Sequence, residues 1–326
     1  MERSTPTVTI GMPTFNREWS LPQVLASLYE LDYDKKRVRI CFVDNESTDS
    51  TMRLIEEFRA KHGNEYESVV VVVARSNISK ARNIAFEKAA GTDYIFCLDS
   101  DILVPPDTIN RLLSSFEGDS KVGMVSLPWD HRNAKKRAGF LYRAFSAPPG
   151  PHPAYKVGNG CNVISMRAVD QVGGFNERLR VHEDGEYCYR LRRKGFKIVC
   201  DFSSEGTHLR DITVDPHFYL NLMKDSAQTY RELIRRGSLL QVVKVVSSIA
   251  IVASFALLLL FPGLYTAVSF AAIFVFALWL NSASIALDDG IHVRPAYRPL
   301  VGLLMTAATM TISAILVYNL ALKRRP

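Results

Sequence analysis

Two aspartates one residue apart, Asp99 and Asp101, close an apolar run in DYIFCLDSDILVPPD (93–107), where burial alone gives no reason for a pair of like charges. Carboxylates at i and i+2 on a turn after a strand can address one divalent cation. Mg2+ and Mn2+ take hard oxygen ligands and share their shell with substrate phosphates. Such pairs also occur in ordinary surface turns, but the place behind YIFCL favours the cation. A third acid, Asp44, ends another apolar run in VDNESTDST. There it could accept hydrogen bonds from a nucleobase or a ribose. It could equally form an Asx-turn or cap the next helix, a job open also to Ser47, Thr48 and Asp49. No GxGxxG follows the first strand-like run and no GxxxxGK[ST] occurs, which removes the usual dinucleotide and P-loop sites. What remains is a diphosphate held through a metal, with the base held by side chains.

Periodicity predicts the elements that must position these acids. Apolar runs at 7–12, 38–44, 68–74, 93–99 and 121–127 read as strands covered on both faces. Helical spacing predicts helices over 20–30, 48–61, 79–90 and 106–116, with Gly63 and Gly91 at their C-caps. This rhythm predicts a doubly wound, mostly parallel α/β sheet. Ligands bind such sheets beyond the carboxyl ends of the strands, which gathers 13–17, 44–47 and 99–101 on one edge. Residues 128–160 lose the rhythm and are rich in Pro, Gly and basic side chains, predicting a loop or mobile flap. GNGCNVISM and FKIVCDF then predict two further strands around a helix near 182–194.

A chain of 326 residues can hold one large or two modest domains. Of its 40 basic and 33 acidic residues, 34 and 31 lie within 1–237, a net charge of +3 that argues against a nucleic-acid partner. Five cysteines without a CxxC pair predict reduced core thiols of a cytosolic domain. MERSTPT shows no apolar leader, so the catalytic domain is expected on the cytoplasmic face. The apolar excess sits in 239–322, where 241–261, 264–286 and 300–320 each approach the roughly 20 residues that cross a bilayer. The expected organisation is a cytoplasmic domain (1–214), an amphipathic juxtamembrane helix (215–238) and a transmembrane domain (239–326). The helix could pack on its own domain or lie in the lipid interface. Three full spans would put KRRP outside, against the positive-inside tendency, which leaves room for one re-entrant segment.

Four segments taken in order, PTFNRE (13–18), VDNESTDST (43–51), NISKARNIAFEKAAGTDYIFCLDSD (77–101) and GGFNERLRVHEDGEYCYRLRRKGFKI (173–198), resemble a known family. It is the inverting nucleotide-sugar glycosyltransferases of sequence family 2, which have the GT-A fold. The likeness covers residues 7 to about 210. It implies that Pro13, Phe15 and Arg17 or Glu18 line the nucleotide site with Asp44, and that Arg82 lies near the diphosphate. Asp99, Ser100 and Asp101 would bind the donor sugar nucleotide, and Asp99, Asp101 and His208 its Mn2+ or Mg2+. Asp184 would be the general base that takes a proton from the acceptor hydroxyl, with Glu183 orienting it. A base beside another acid can have a raised pKa, which suits that role. Without the likeness, the two read as first-turn acids favoured by the helix dipole.

The apolar C-terminal segments suggest a membrane lipid acceptor, and membrane-bound members of the family include polyprenyl-phosphate (dolichyl-phosphate) sugar synthases. That implies transfer of a hexose, with mannose from GDP-mannose favoured, to a polyprenyl phosphate. Arg190, Arg192, Arg193 and Lys194, with Arg231, Arg235 and Arg236, could hold such a phosphate or form a solvated basic face that meets anionic lipids. The chain departs from those synthases in having SNISKARNIAF in place of a glycine-rich run, and in lacking their QH after the paired acids. One alternative keeps the chemistry but extends a hydroxyl of a glycolipid or polysaccharide, which makes Asp184 indispensable. Three spans are few for a polysaccharide channel, although a homo-oligomer could build one. Another alternative is a non-catalytic membrane scaffold that keeps a nucleotide-binding fold.

Overall fold

The computed structural model describes residues 5–131, 149–154, 156–158, 160–179, 181–210, 229 and 231–238, with five further positions between 242 and 250. The chain divides into two compact units, one of residues 1–139 and 148–213 and one of 140–147 and 214–326.

In the first unit the strands are β1 (Val8–Thr14), β2 (Val38–Asp44), β3 (Ser68–Val73), β4 (Tyr94–Leu98), β5 (Ile102–Leu103), β6 (Val122–Ser126), β7 (Trp129–His131), β8 (Pro151–Ala154), β9 (Cys161–Ser165), β10 (Lys197–Asp201) and β11 (Gly206–His208). Eight form one sheet in the order β3-β2-β1-β4-β9-β6-β10-β8. All run parallel except β8 and β9. The helices are α1 (Leu21–Tyr29), α2 (Thr51–His62), α3 (Ile78–Lys88), α4 (Thr108–Ser114), α5 (Met166–Val172) and α6 (Glu183–Arg193). Successive strand side chains point to opposite faces. Ile40 and Phe42 accordingly enter a core with α1, α2 and α4, while Cys41 and Val43 enter a second core with α3, α5 and α6. This is the mixed α/β, mostly parallel architecture expected of a GT-A domain.

Three details differ from the expectation. The valines of β3 stand at the sheet edge, four of them half-buried and the fifth, Val73, 57% exposed. An unbroken apolar run therefore does not require two covered faces. Gly63 does cap α2, but with an ordinary right-handed φ of −56°. The cap of α3 is Ala89, and Gly91 lies two residues further on at φ +86°, where a glycine is favoured. Within 128–160, the stretch expected to be a loop, lie the short strands β7 and β8.

In the second unit the described residues form a helical turn over 231–235. It ends at Gly237 (φ +80°), with the Ser238 N–H donating to the Leu233 carbonyl. Most of the expected juxtamembrane helix, and the three expected spans apart from isolated positions of the first, lie outside the described residues. Among the described residues no helix is long and apolar enough to cross a membrane. All five cysteines are buried free thiols.

Candidate active site

β1 and β2 end in register, Thr14 opposite Asp44. Asp44 is fully buried. Its Oδ1 accepts from the Thr14 hydroxyl (2.9 Å) and the Ser47 hydroxyl (2.6 Å), and its Oδ2 from the Ser47 N–H (2.8 Å). These contacts make the Asx-turn, one of the uses open to this acid. The loop it builds is stitched to the loop after β1. The Asn16 N–H donates to Ser47 Oγ (2.9 Å), the Thr48 N–H to Asn16 Oδ1 (2.9 Å), and the Ser50 N–H to Glu18 Oε2 (3.0 Å). Asn16 adopts a left-handed φ of 50° to make this fit. Pro13 is buried within β1, whereas Phe15 projects from its end, 48% exposed.

Beyond β2 and β3 an open cleft of about 360 Å³ is lined by Asn45, Arg75, Ser76, Asn77, Lys80 and Glu177. The Ser76 N–H donates to Asn45 Oδ1 (2.7 Å), while Ser76 Oγ is buried without a partner. The two cations, Arg75 and Lys80, are absent from the sequence-based site. They flank SNIS at the mouth of a strand, and that clustering was the available signal.

The paired acids lie on the turn between β4 and β5. The Ser20 hydroxyl donates to the Ser100 carbonyl (2.8 Å), pinning the turn to the start of α1. Asp101 is buried, with Oδ1 3.6 Å from His208 Nε2 and Oδ2 3.7 Å from Arg17 Nη2. A second small sheet, β5-β11-β7, sets that distance, since it places His208 opposite Ile102, the residue after Asp101. His208 Nδ1 lies 3.4 Å from the Arg210 carbonyl. That contact suits an N–H on Nδ1, which leaves the Nε2 lone pair towards Asp101.

The carboxylate oxygen and imidazole nitrogen of Asp101 and His208 are a donor set that suits Mn2+ or Mg2+. Asp99 instead turns one oxygen to Arg82 (2.9 Å). Among the described residues no three His, Cys, Asp or Glu side chains form a ready cage. The ion's remaining ligands would be donor phosphates and water, the usual manner of Mg2+. Two guanidinium donors, Arg17 Nε and Arg82 Nε, are also buried without an acceptor. Unsatisfied buried N–H groups beside these acids fit an anionic ligand.

Arg82 joins the two halves of the site. Its Nη2 donates to Asp99 and its Nη1 donates to Glu183 Oε1 at 2.6 Å, with the side chain only 4% exposed. Burial would lower its pKa, but Asp99 and Glu183 more than compensate and raise it. At Glu183 burial dominates and raises the carboxyl pKa, with Arg82 opposing and Asp184 adding to the shift. Asp184, next in the first turn of α6, is half-buried and its Oδ1 accepts from the Gly185 N–H (2.6 Å). His182, immediately before the helix, is held at a left-handed φ of 57°.

An aromatic stack anchors α6. Tyr187 is fully buried, lies 4.4 Å from Phe175 and meets Phe86 of α3 edge-on. Asn83 fixes the intervening loop by pairing with both backbone groups of Phe175 (2.6 and 3.0 Å).

The arginines assigned to an acceptor phosphate are not brought to this site. Arg190 spends its donors on both Glu186 oxygens and on the carbonyls of Val172 and Gly174. Arg190, Arg192 and Arg193 occupy the last turn of α6 whereas Asp184 is in the first. At about 1.5 Å rise per residue, the eight residues from Asp184 to Arg192 span about 12 Å. The acids and cations of α6 sit at the helix ends that the macrodipole favours for each.

Residues 9–164 match the family described as glycosyl transferase family 2. That stretch is a little under half of the chain. The poly-beta-1,6-N-acetyl-D-glucosamine synthase of Staphylococcus aureus (strain COL) is 28% identical over 120 residues, 36% of this chain and 27% of that protein. The chondroitin synthase of Escherichia coli is 25% identical over 236 residues, 69% of this chain and 33% of that protein. The chain thus spans about a third or less of the length of these curated relatives. Among solved structures, the mannosyltransferase PcManGT from Pyrobaculum calidifontis, in complex with GDP-Man and Mn2+, superposes with a TM-score of 0.60. The alignment covers 96% of this chain and 85% of that one at 17% identity, a likeness of fold. The glycosyltransferase domain match ends at 164, so α6 and His208 rest on the geometry above.

Proposed function

We propose that the protein is an inverting, metal-dependent glycosyltransferase that moves a hexose from a nucleoside-diphosphate donor to an acceptor hydroxyl. The observation that carries this reading is the fork of Arg82, which ties Asp99 of the donor turn and Glu183 of the acceptor helix into one buried cluster. Asp101, His208 and Arg17 form the diphosphate end, and a bound Mn2+ or Mg2+ would neutralise charge on the departing nucleotide. The Glu183–Arg82 pair holds the first turn of α6, so that Asp184 can take the acceptor O–H proton. The acceptor oxygen bonds to the anomeric carbon from the face opposite the nucleotide. The bond from that carbon to the phosphate oxygen breaks, and the nucleoside diphosphate leaves with its electron pair.

General-base removal typically costs about 10²- to 10⁴-fold in rate. Asp184→Asn should lose turnover on that scale while retaining nucleotide binding, measured as donor-dependent release of nucleoside diphosphate. Asp101→Ala should abolish Mn2+-dependent binding of UDP and GDP in calorimetry. Intact binding in that variant would sink the assignment.

A second reading keeps the donor site but takes a polyprenyl phosphate as acceptor and mannose from GDP-mannose. It is favoured by the three apolar stretches after residue 240 and by the GDP-Man held in the structurally similar mannosyltransferase. Such an enzyme would be an integral membrane protein with its catalytic domain on the cytoplasmic face, as a monomer or a homo-oligomer. A phosphate acceptor is already anionic, so near-normal turnover of Asp184→Asn on a lipid phosphate would decide for it.

A further inference from the structure

We infer that Trp129 is the platform on which the acceptor packs, and that the acceptor is itself a sugar ring. The inference rests on the transfer reading above and names its acceptor class.

Trp129 opens β7, pairs with Gly206 of β11, and is 38% exposed. One neighbour of its ring is fixed, since His208 lies 4.9 Å away at an interplanar angle of 32°. Its indole edge reaches across two glycines. A β-carbon on Gly160 would stand 3.2 Å from both Trp129 Nε1 and Asp99 Oδ2, and only 2.6 Å from the Ile102 side chain. A β-carbon on Gly158 would stand 3.8 Å from Trp129 Nε1 and 3.9 Å from Asp184 Oδ2. The indole edge thus comes near both a donor acid and the proposed base, an approach that the missing β-carbon of Gly160 permits and that leaves Gly158 in ordinary contact.

The chemistry of this wall selects an acceptor. Indole supplies a broad apolar face and a single N–H donor, with no charge. A pyranose offers the matching surface, apolar C–H groups on its ring face and hydroxyls at its rim. A phosphate wants cations, and Arg190 has committed its donors within its own fold. A ring on Trp129 would present a rim hydroxyl towards Asp184 Oδ2. An exposed aromatic beside convergent polar groups is the usual composition of such pockets.

The experiment compares initial rates of the full chain in detergent, with UDP-N-acetylglucosamine and GDP-mannose as donors and Mn2+ present. The acceptors are N-acetylglucosamine tetramer, mannotetraose and undecaprenyl phosphate. Trp129→Ala should raise the saccharide KM by about tenfold, the scale of losing one aromatic contact, and Trp129→Phe should recover part of it. Trp129→Ala also removes the neighbour of His208, so Gly158→Ala provides a second probe. The added methyl stands in ordinary van der Waals contact, occupies the acceptor space and leaves His208 untouched. It should raise the saccharide KM while calorimetric donor binding keeps its wild-type Kd. An unchanged saccharide KM in Trp129→Ala and Gly158→Ala would overturn the inference, as would a wild type that glycosylates only undecaprenyl phosphate. Absence of Mn2+-dependent nucleotide binding by the wild type would instead overturn the transfer reading, and this proposal with it.

Discussion

At the ends of β1 and β2 the site is sewn together by many hydrogen bonds among Thr14, Asn16, Glu18, Asp44, Ser47 and Ser50, within and between two loops that the sheet already holds in register. At Arg82 a single buried guanidinium joins acids 17 and 101 residues away. The first region distributes its hold over short contacts, and each net contribution is about 0.5–1.5 kcal/mol. The second concentrates it in one cation whose removal leaves a buried Glu183 and a partly exposed Asp99 without their shared partner. The contrast indicates where the site should bend and where it should break.

Arg82→Met tests the break and should have the largest effect on stability. Breaking a buried ion pair by deleting one partner typically costs about 3–5 kcal/mol, read as a fall in the urea midpoint. The loss should depend on pH. Burial already raises the Glu183 carboxyl pKa, and removing the opposing cation raises it further. The stabilisation such a group brings is greatest when it is protonated and is lost as pH rises through the folded-state value. The variant should therefore suffer less at pH 5 than at pH 8. Arg82→Lys keeps the charge but not the fork, and should recover only part of the loss.

Asp44→Asn tests the stitched loops. It exchanges one acceptor for an NH2 facing donors, at a cost of about 1–3 kcal/mol, and should weaken nucleotide affinity without unfolding the sheet. A loss matching that of Arg82→Met would mean that the two regions do not differ as described.

The smallest effect is expected at the cysteines, which belong to neither region. Burial pushes Cys41 up to about 11 and Cys97, Cys188 and Cys200 up to about 12, and it raises Cys161 as well. Thiols so shifted stay protonated at pH 8. Iodoacetamide should label none of the five in the folded first unit and all five after denaturation.

Long, periodic elements were legible in the sequence. β2 falls on the expected residues 38–44, and α6 lies within the expected 182–194. Strands of two to four residues such as β5, β7, β8 and β11 are too short to show a period, so the small sheet that delivers His208 to Asp101 was invisible. At the site, the strand-end acids could be found because charge at the end of an apolar run needs a reason. Trp129 could not, because an aromatic in a Pro- and Lys-rich stretch carries no signal until the small sheet sets it beside His208. Arg190 was legible as a cation but not in its partners. A run of arginines looks available until Glu186, four residues back, is seen to hold one of them.

The bridge at Arg82 also bears on biogenesis. Synthesis runs from the N-terminus, so Arg82 and Asp99 leave the ribosome well before Glu183 does. β9 must also enter antiparallel between β4 and β6 before the sheet is closed. A nascent chain could thus assemble the β1–β4 layer and still carry a guanidinium with half its partners missing. The Arg82 cluster would be complete only late in translation, when the strand–helix segment bearing Glu183 docks onto a sheet already waiting for it.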